Sequence, residues 1–260
     1  EILDESELLV APGCYDAMSA RLIERAGFKA TFMGGFAVSA ARIGMPDTGL
    51  ISYSEMLNQG SNICDAVSIP VLGDGDTGYG NAINVKRTVQ GYAKAGMSCV
   101  MIEDQVAPKR CGHTKGKQVV TRDEASSRVK AAIDARDAGA DILIMSRTDA
   151  NYTHGLDEAI DRCKMFVDLG VDITFLEAPG SEEEMERYCR EVKGPKMANM
   201  VEQGNSPFLA PNQLESIGYS IAIFPVSLML AGIKAMEDTL LELRNGHNTQ
   251  SKSTFGHLQQ

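Results

Sequence analysis

Short apolar runs rich in β-branched residues alternate with amphipathic stretches of helical period along the whole chain. The runs predict strands over residues 8–11, 30–33, 69–72, 99–102, 141–145, 173–176, 196–198 and 220–224. The stretches between them predict helices over 16–26, 54–66, 82–95, 122–138, 156–169, 181–191, 211–217 and 226–244. Four of these helices run into glycine (Gly27, Gly96, Gly139 and Gly170) where a left-handed residue commonly ends a helix. Eight strand–helix units predict an α/β protein built as a (β/α)8 barrel, although an open doubly wound sheet shares the alternation. Two features favour the barrel: the count of eight, and the polar or glycine residues that follow nearly every strand. These are Gly34-Gly35, Asp74 and Asp76, Glu103-Asp104, Arg147 with Asp149, Glu177, and Asn199. Barrel enzymes build their sites at the carboxyl ends of all their strands, whereas an open sheet gathers ligands near one switch point.

Composition narrows the class without changing the fold. The 260 residues are 43% hydrophobic and 23% charged, ordinary for a soluble globular protein and enough to bury a full core. We expect one barrel domain over residues 1–246, with 247–260 a polar tail or the start of a further helix. The net charge is −10, and the only basic block is the short segment 109–117, which argues against a nucleic-acid partner. No apolar run approaches the roughly 18 residues of a membrane span. The longest, 221–233, is broken by Pro225, Ser227 and Gly232. Six scattered cysteines with no CxxC pair suit a reducing compartment, the cytoplasm or an organelle interior, better than a zinc site or a disulfide framework. The chain begins at Glu1 rather than Met, so a removed leader stays open.

Two motifs carry chemistry. Residues 73–78, Gly-Asp-Gly-Asp-Thr-Gly, match the dinucleotide pattern GxGxxG after a strand and before a helix. Their chemistry is wrong for it, because Asp74 and Asp76 would face the pyrophosphate. Carboxylates in a tight glycine loop suit a hard cation, and Mg2+ takes one or two of them directly and keeps several waters. Glu103, ending the next strand, serves as a further ligand or water-holder; the plain alternative is a solvated acidic turn. The second motif is Lys109-Arg110-Cys111-Gly112-His113. Cysteine by default fills apolar space, and the other five receive that reading. Cys111 differs because cations flank it in sequence, which should lower the thiol pKa and make the sulfur reactive. His113 is either a general base or a residue that orients the loop. Arg147 and Asp149 form an ion pair, or Arg147 holds an anionic ligand through its fork. Glu177 and Asn199 fit polar contacts to substrate or metal shell. Asp47 is a turn residue by composition and a site residue by location.

Taken in order, GMPDTG, GDGDTGYG, IEDQ, KRCGH, SRTDA, FLEAP and ANMVE resemble the isocitrate lyase/phosphoenolpyruvate mutase superfamily over nearly the whole chain. KRCGH resembles its lyase branch, and FMGGFAVSAARIG its 2-alkylmalate lyase and oxaloacetate hydrolase group. The resemblance implies a barrel whose last helix is exchanged between subunits of a homotetramer, a dimer of dimers. It implies Mg2+, with Mn2+ as a substitute, near Asp74, Asp76, Glu103 and Asp47. It also implies a gating loop of Lys109, Arg110, Cys111, Gly112 and His113, with Cys111 as the acid. Arg147, Glu177 and Asn199 would line the site. Two departures from the family pattern bear on substrate. Gly34-Gly35-Phe36 stands where these enzymes commonly carry serine before glycine to bind a keto-acid carboxylate, so a hydroxyl donor is lost. Leu230 stands where methylisocitrate lyases place an arginine for a third carboxylate, which disfavours tricarboxylates, and Pro225 replaces the serine of oxaloacetate hydrolases. The implied activity is Mg2+-dependent carbon–carbon cleavage of a 2-hydroxy dicarboxylate, a 2-alkylmalate or 2,3-dimethylmalate, to a 2-keto acid and a carboxylate. The alternatives are oxaloacetate hydrolysis or decarboxylation, methylisocitrate cleavage, phosphonomutase activity, and a catalytically silent barrel that only binds.

Overall fold

The computed structural model describes residues 7–247; the expected tail lies outside the described residues apart from His247. Eight parallel strands are present: β1 Leu9–Cys14, β2 Thr31–Met33, β3 Val71–Asp74, β4 Cys99–Glu103, β5 Leu143–Thr148, β6 Ile173–Leu176, β7 Met197–Asn199 and β8 Ile221–Phe224. Each falls on a predicted run. They pair in the order β6-β5-β4-β3-β2-β1-β8-β7. A single parallel bridge between Thr174 and Lys196, with the Thr174 amide donating to Pro195 O at 3.1 Å, brings β6 to β7 and closes the ring. The architecture is therefore the (β/α)8 barrel rather than the open sheet.

The helices of the outer layer are α1 Ala17–Arg25, α2 Gly35–Ile43, α3 Tyr53–Cys64, α4 Ala82–Lys94, α5 Arg122–Asp137, α6 Ala150–His154, α7 Leu156–Leu169, α8 Glu182–Glu191, α9 Pro211–Ile217 and α10 Ser227–Arg244. Two of them, α2 and α6, were not predicted. The paired glycines at the start of α2 read as a loop, and α6 is a single turn. The four glycines expected to stop helices all have positive φ, the conformation that glycine adopts without a steric penalty.

Strand periodicity positions the site. Leu9 and Ala11, Phe32, Leu72, Cys99 and Met101, Met145, Ile173 and Phe175, Met197, Ile221 and Ile223 form one buried cluster inside the barrel. Their neighbours Val71, Val100, Ile102 and Ile144 pack outward in the helix-facing core. Successive side chains on a strand alternate faces, so the next inward positions are Gly13, Gly34, Asp74, Glu103, Arg147, Glu177, Asn199 and Pro225. Seven of these were expected as site residues. The eighth, Gly13, must be small: a Cβ there would stand 2.2 Å from Pro225 O.

The last helix behaves differently from the others. Met229 is buried, whereas Leu230, Ile233, Met236, Leu240, Leu241 and Leu243 are exposed. Among the described residues, no helix is long and apolar enough to cross a membrane.

Candidate active site

The carboxyl ends of β2 to β6, with the segments that follow them, bring together six carboxylates and three cations. Asp47, Asp74, Asp76, Glu103, Asp149 and Glu177 are buried, as are Lys109, Lys117 and Arg147. The Asp74 carboxylate accepts from the amide of Gly35 through one oxygen and from the amide of Asp76 through the other, both at 2.9 Å. The Gly34-Gly35-Phe36 segment is thus the start of α2, with Gly34 as an N-cap that has no side chain to donate or accept. Phe36 is partly exposed on the first turn. Asp76 has φ +52°, a left-handed conformation uncommon outside glycine. The Lys109 ammonium lies 2.6 Å from Asp76 and 2.8 Å from both oxygens of Asp47.

Arg147 anchors the other half of the site. Its Nε and Nη2 donate to the two Asp149 oxygens at 2.8 and 3.0 Å. Nη1 is 3.2 Å from Glu177, and Nε is 3.3 Å from Glu103. The ion-pair reading of Arg147 is the one seen: its fork is engaged by Asp149, and its remaining nitrogen meets Glu177. Asn199 lies 3.4 Å from both Glu177 oxygens through its amide nitrogen.

The segment 109–117 folds over this cluster. Its base is an antiparallel bridge between Gln105 and Val119, and Gln105 grips Arg110 at both backbone atoms, 3.0 and 2.9 Å. Gly112 packs so closely that a Cβ would stand 2.5 Å from Arg147 Nη2. His113 Nδ1 accepts from the amide of Asn205 at 3.0 Å, while Nε2 lies 3.1 Å from Glu177. An accepting Nδ1 puts the ring proton on Nε2, so the geometry favours the orienting role of His113 over that of a base. The Arg110 side chain is exposed and does not join the cluster. Leu230 is likewise partly exposed, on α10.

Environment sets the proton affinities. Burial pushes the Glu103 carboxyl well above the usual range, against the pull of Arg147 and Lys109. Burial raises Asp76 to about 6, with Lys109 opposing. Burial would raise Glu177 too, but Arg147 and His113 outweigh it and hold the group at about 2. Cys111 corrects a sequence expectation: its thiol is raised rather than lowered, first by burial, although the backbone at His113 opposes this. The flanking cations do not rescue the thiolate, because Lys109 turns to Asp47 and Asp76 and Arg110 turns to solvent. Burial therefore favours the protonated thiol.

Among the described residues, no three His, Cys, Asp or Glu side chains are arranged to hold a metal through direct contacts. Mg2+ needs only one or two carboxylates, with water completing its shell. Glu103 Oε1 is buried without a hydrogen bond, an acceptor that fits a cation's water, whereas Asp47 Oδ1 and Asp76 Oδ1 face the Lys109 ammonium and Glu103 Oε2 faces Arg147.

Sequence reasoning missed Lys117, Arg162 and Asn205, and it placed Asp104 with Glu103 on the site face. Lys117 lies in the same basic segment as Cys111, yet only folding shows that it points inward. Asp104, next to Glu103 but facing outward, accepts from Thr148 Oγ1 at 2.6 Å, the Asp149 amide at 3.0 Å and Arg162 at 3.0 Å. It supports the site from behind.

Carboxylates, an arginine and a thiol-bearing loop gathered at the strand carboxyl ends are the arrangement of a barrel enzyme, not of a structural barrel. The chain belongs to the phosphoenolpyruvate phosphomutase family, whose profile matches residues 1–244. It is 44% identical over 249 residues to the 2,3-dimethylmalate lyase of Eubacterium barkeri, covering 96% of this chain and 86% of that protein. It is 42% identical to the 2-methylisocitrate lyase of Aeropyrum pernix, over 94% of this chain and 78% of that protein. The structure of oxaloacetate acetylhydrolase in complex with the inhibitor 3,3-difluorooxalacetate matches with a TM-score of 0.95 at 35% identity, over 99% of this chain and 89% of that one. Phosphonopyruvate hydrolase in complex with oxalate and Mg2+ matches with a TM-score of 0.87 at 26% identity, over 99% and 90% of the two chains.

The depressed Glu177 pKa has a consequence for stability. Its folded value lies below the ordinary carboxylate value, so its contribution is fully present above about pH 4.5 and is lost as pH falls toward about 2. In urea titrations, Glu177→Gln should lose less stability than the parent over that interval. Equal losses in the two proteins would show that Arg147 does not hold Glu177 ionised.

Proposed function

We propose that this protein is a Mg2+-dependent carbon–carbon lyase that cleaves a 2-alkylmalate or 2,3-dialkylmalate to a 2-keto acid and a carboxylate. The observation that carries this reading is the thiol of Cys111, kept protonated by burial on a loop that packs against Arg147 and Glu177. Breaking a bond to carbon leaves a carbanion that needs an acid, and the likeness to 2,3-dimethylmalate lyase supplies the substrate class.

Mg2+, or Mn2+ in its place, bound among Asp74, Asp76, Glu103 and Asp47 would supply positive charge that polarises the substrate oxygens. A carboxylate of this cluster takes the 2-hydroxyl proton; the support is the buried Glu103, whose oxygens accept no hydrogen bond. As electrons collapse from that oxygen toward C2, the C2–C3 bond breaks, and the departing carbon takes the proton of Cys111 Sγ. Arg147 balances negative charge as it develops, while Lys109 holds Asp47 and Asp76 in place. Asn199 and Glu177 line the mouth beside Arg147, as do the first turn of α2 at Gly34-Gly35-Phe36 and the turn at Pro225. Gly112 and His113 seat the loop, which excludes water from the carbanion, and Arg110 rides on its outer side. Hydrolysis of oxaloacetate is the second reading, favoured by the match to oxaloacetate acetylhydrolase. Pro225, which has no hydroxyl to support a hydrated ketone, weighs against it.

The enzyme acts as a homotetramer, a dimer of dimers that exchanges α10 between subunits. The support is the apolar surface of α10, which its own barrel leaves exposed and which a neighbour's barrel would cover. Six free cysteines suit a reducing compartment.

The function is tested by incubating protein and Mg2+ with 2-alkylmalates, 2,3-dimethylmalate, methylisocitrate, oxaloacetate and phosphonopyruvate, and following keto-acid release. Alkylmalates should be cleaved best, by about a hundredfold in kcat/KM over methylisocitrate, and chelation should abolish turnover. Preferred turnover of another member of the panel, or full activity after exhaustive chelation, would overturn the reading. For Cys111→Ser, kcat should fall by about two to four orders of magnitude with little change in KM; near-parental kcat would reduce Cys111 to loop packing. Sedimentation at micromolar protein should give a species of four chains, and a single monomeric species would refute the assembly.

A further inference from the structure

We infer that Lys117 is a positioning residue, a latch that fastens the closed loop to the group holding Arg147. Lys117 is a buried lysine, 3% exposed. Its ammonium donates to the carbonyl of Gly112, five residues back in the loop, and to Asp149 Oδ1 at 2.8 Å. That same Asp149 oxygen accepts from Arg147 Nη2, and its partner oxygen accepts from Nε. One cation therefore joins the tip of the loop to the clamp on the arginine.

The two ends of this connection differ in how they are held. Lys117 adjoins the fixed base of the loop, where the Val106 amide donates to Gln118 O at 2.8 Å beside the Gln105–Val119 bridge. Its ammonium also lies over the Tyr152 ring, 5.1 Å from the centroid, and the Tyr152 hydroxyl accepts from the Gly116 amide. Gly112 sits at the far end, next to Cys111. When Gly112 seats, its carbonyl gains a charged donor, and the adjacent thiol arrives beside Arg147 and Glu177. Without the ammonium, the carbonyl and one side of Asp149 lose a buried partner, and such losses are costly. The latch thus couples delivery of the acid to the seating of the arginine. Its catalytic consequence rests on the lyase reading; its effect on the loop does not.

The test uses Lys117→Met, which keeps the chain length without the charge, with Lys117→Gln and Lys117→Arg beside it. Iodoacetamide labelling of Cys111, read by peptide mass against the buried Cys14, Cys99 and Cys163, reports loop opening without any substrate. In the Met and Gln variants, Cys111 labelling should quicken by about tenfold or more, while the reference cysteines stay slow. In the assay above, kcat should fall by about ten- to a hundredfold with a smaller change in KM, and Lys117→Arg should recover part of both effects. Unchanged Cys111 labelling in the Met and Gln variants overturns the latch whatever the activity does. An unchanged kcat in a parent that does turn over alkylmalate overturns the coupling to chemistry. Should the parent cleave no alkylmalate, the lyase reading fails, and labelling still decides the latch.

Discussion

The mouth of this barrel depends on one constraint: six buried carboxylates must share three side-chain cations. Taking a charge out of water is expensive, and an unpaired buried charge is usually neutralised by a shifted pKa rather than tolerated. The proton affinities follow the distribution of partners. Glu177, held against Arg147 and His113, stays acidic, whereas Glu103, whose oxygens accept no hydrogen bond, moves upward. Two of the three cations, Lys109 and Lys117, belong to the segment that folds over the site. One loop therefore supplies two of the counterions, and the negative charge still in excess is what a divalent cation would meet.

Much of this was legible in the sequence, and the reason is periodic. Each strand appeared as an apolar run, and the polar residue ending it fell on the inward row that continues the barrel interior, as Met101 leads to Glu103 and Phe175 to Glu177. What could not be read was direction in space. Lys109 and Arg110 flank Cys111 in the chain, yet one turns to Asp47 and Asp76 and the other to solvent, so the thiol responds to burial instead of to its neighbours. Lys117 was hidden for the converse reason: in a segment of surface-like composition, nothing marks the one lysine that turns inward. The helix at Gly35–Ile43 was obscured by its glycines, which permit a loop but here leave backbone amides free to meet Asp74.

Layers behind the site hold it in place. Asp104, one residue beyond Glu103 and on the opposite face of the strand, ties Thr148, the Asp149 amide and Arg162 together. Arg162 continues outward to Glu158 at 2.8 Å, and Glu158 to Arg122. A buried carboxylate with three donors is a rigid junction, and this one fixes the backbone from which the Asp149 side chain reaches Arg147. The outward face of β4 and β5 therefore serves the chemistry of the inward face without touching the mouth.

Asp76 unites two requirements that most positions keep separate. Its left-handed backbone is adopted most readily by glycine, and after glycine by asparagine and aspartate. Its carboxylate meets the Lys109 ammonium. Among the residues that tolerate such a turn, aspartate alone carries a negative charge. Glutamate would keep the charge at a conformational cost, while asparagine and glycine would keep the conformation without the charge. Sequence drift in the loop between β3 and α4 is thus narrowed by stereochemistry and electrostatics acting on one residue together.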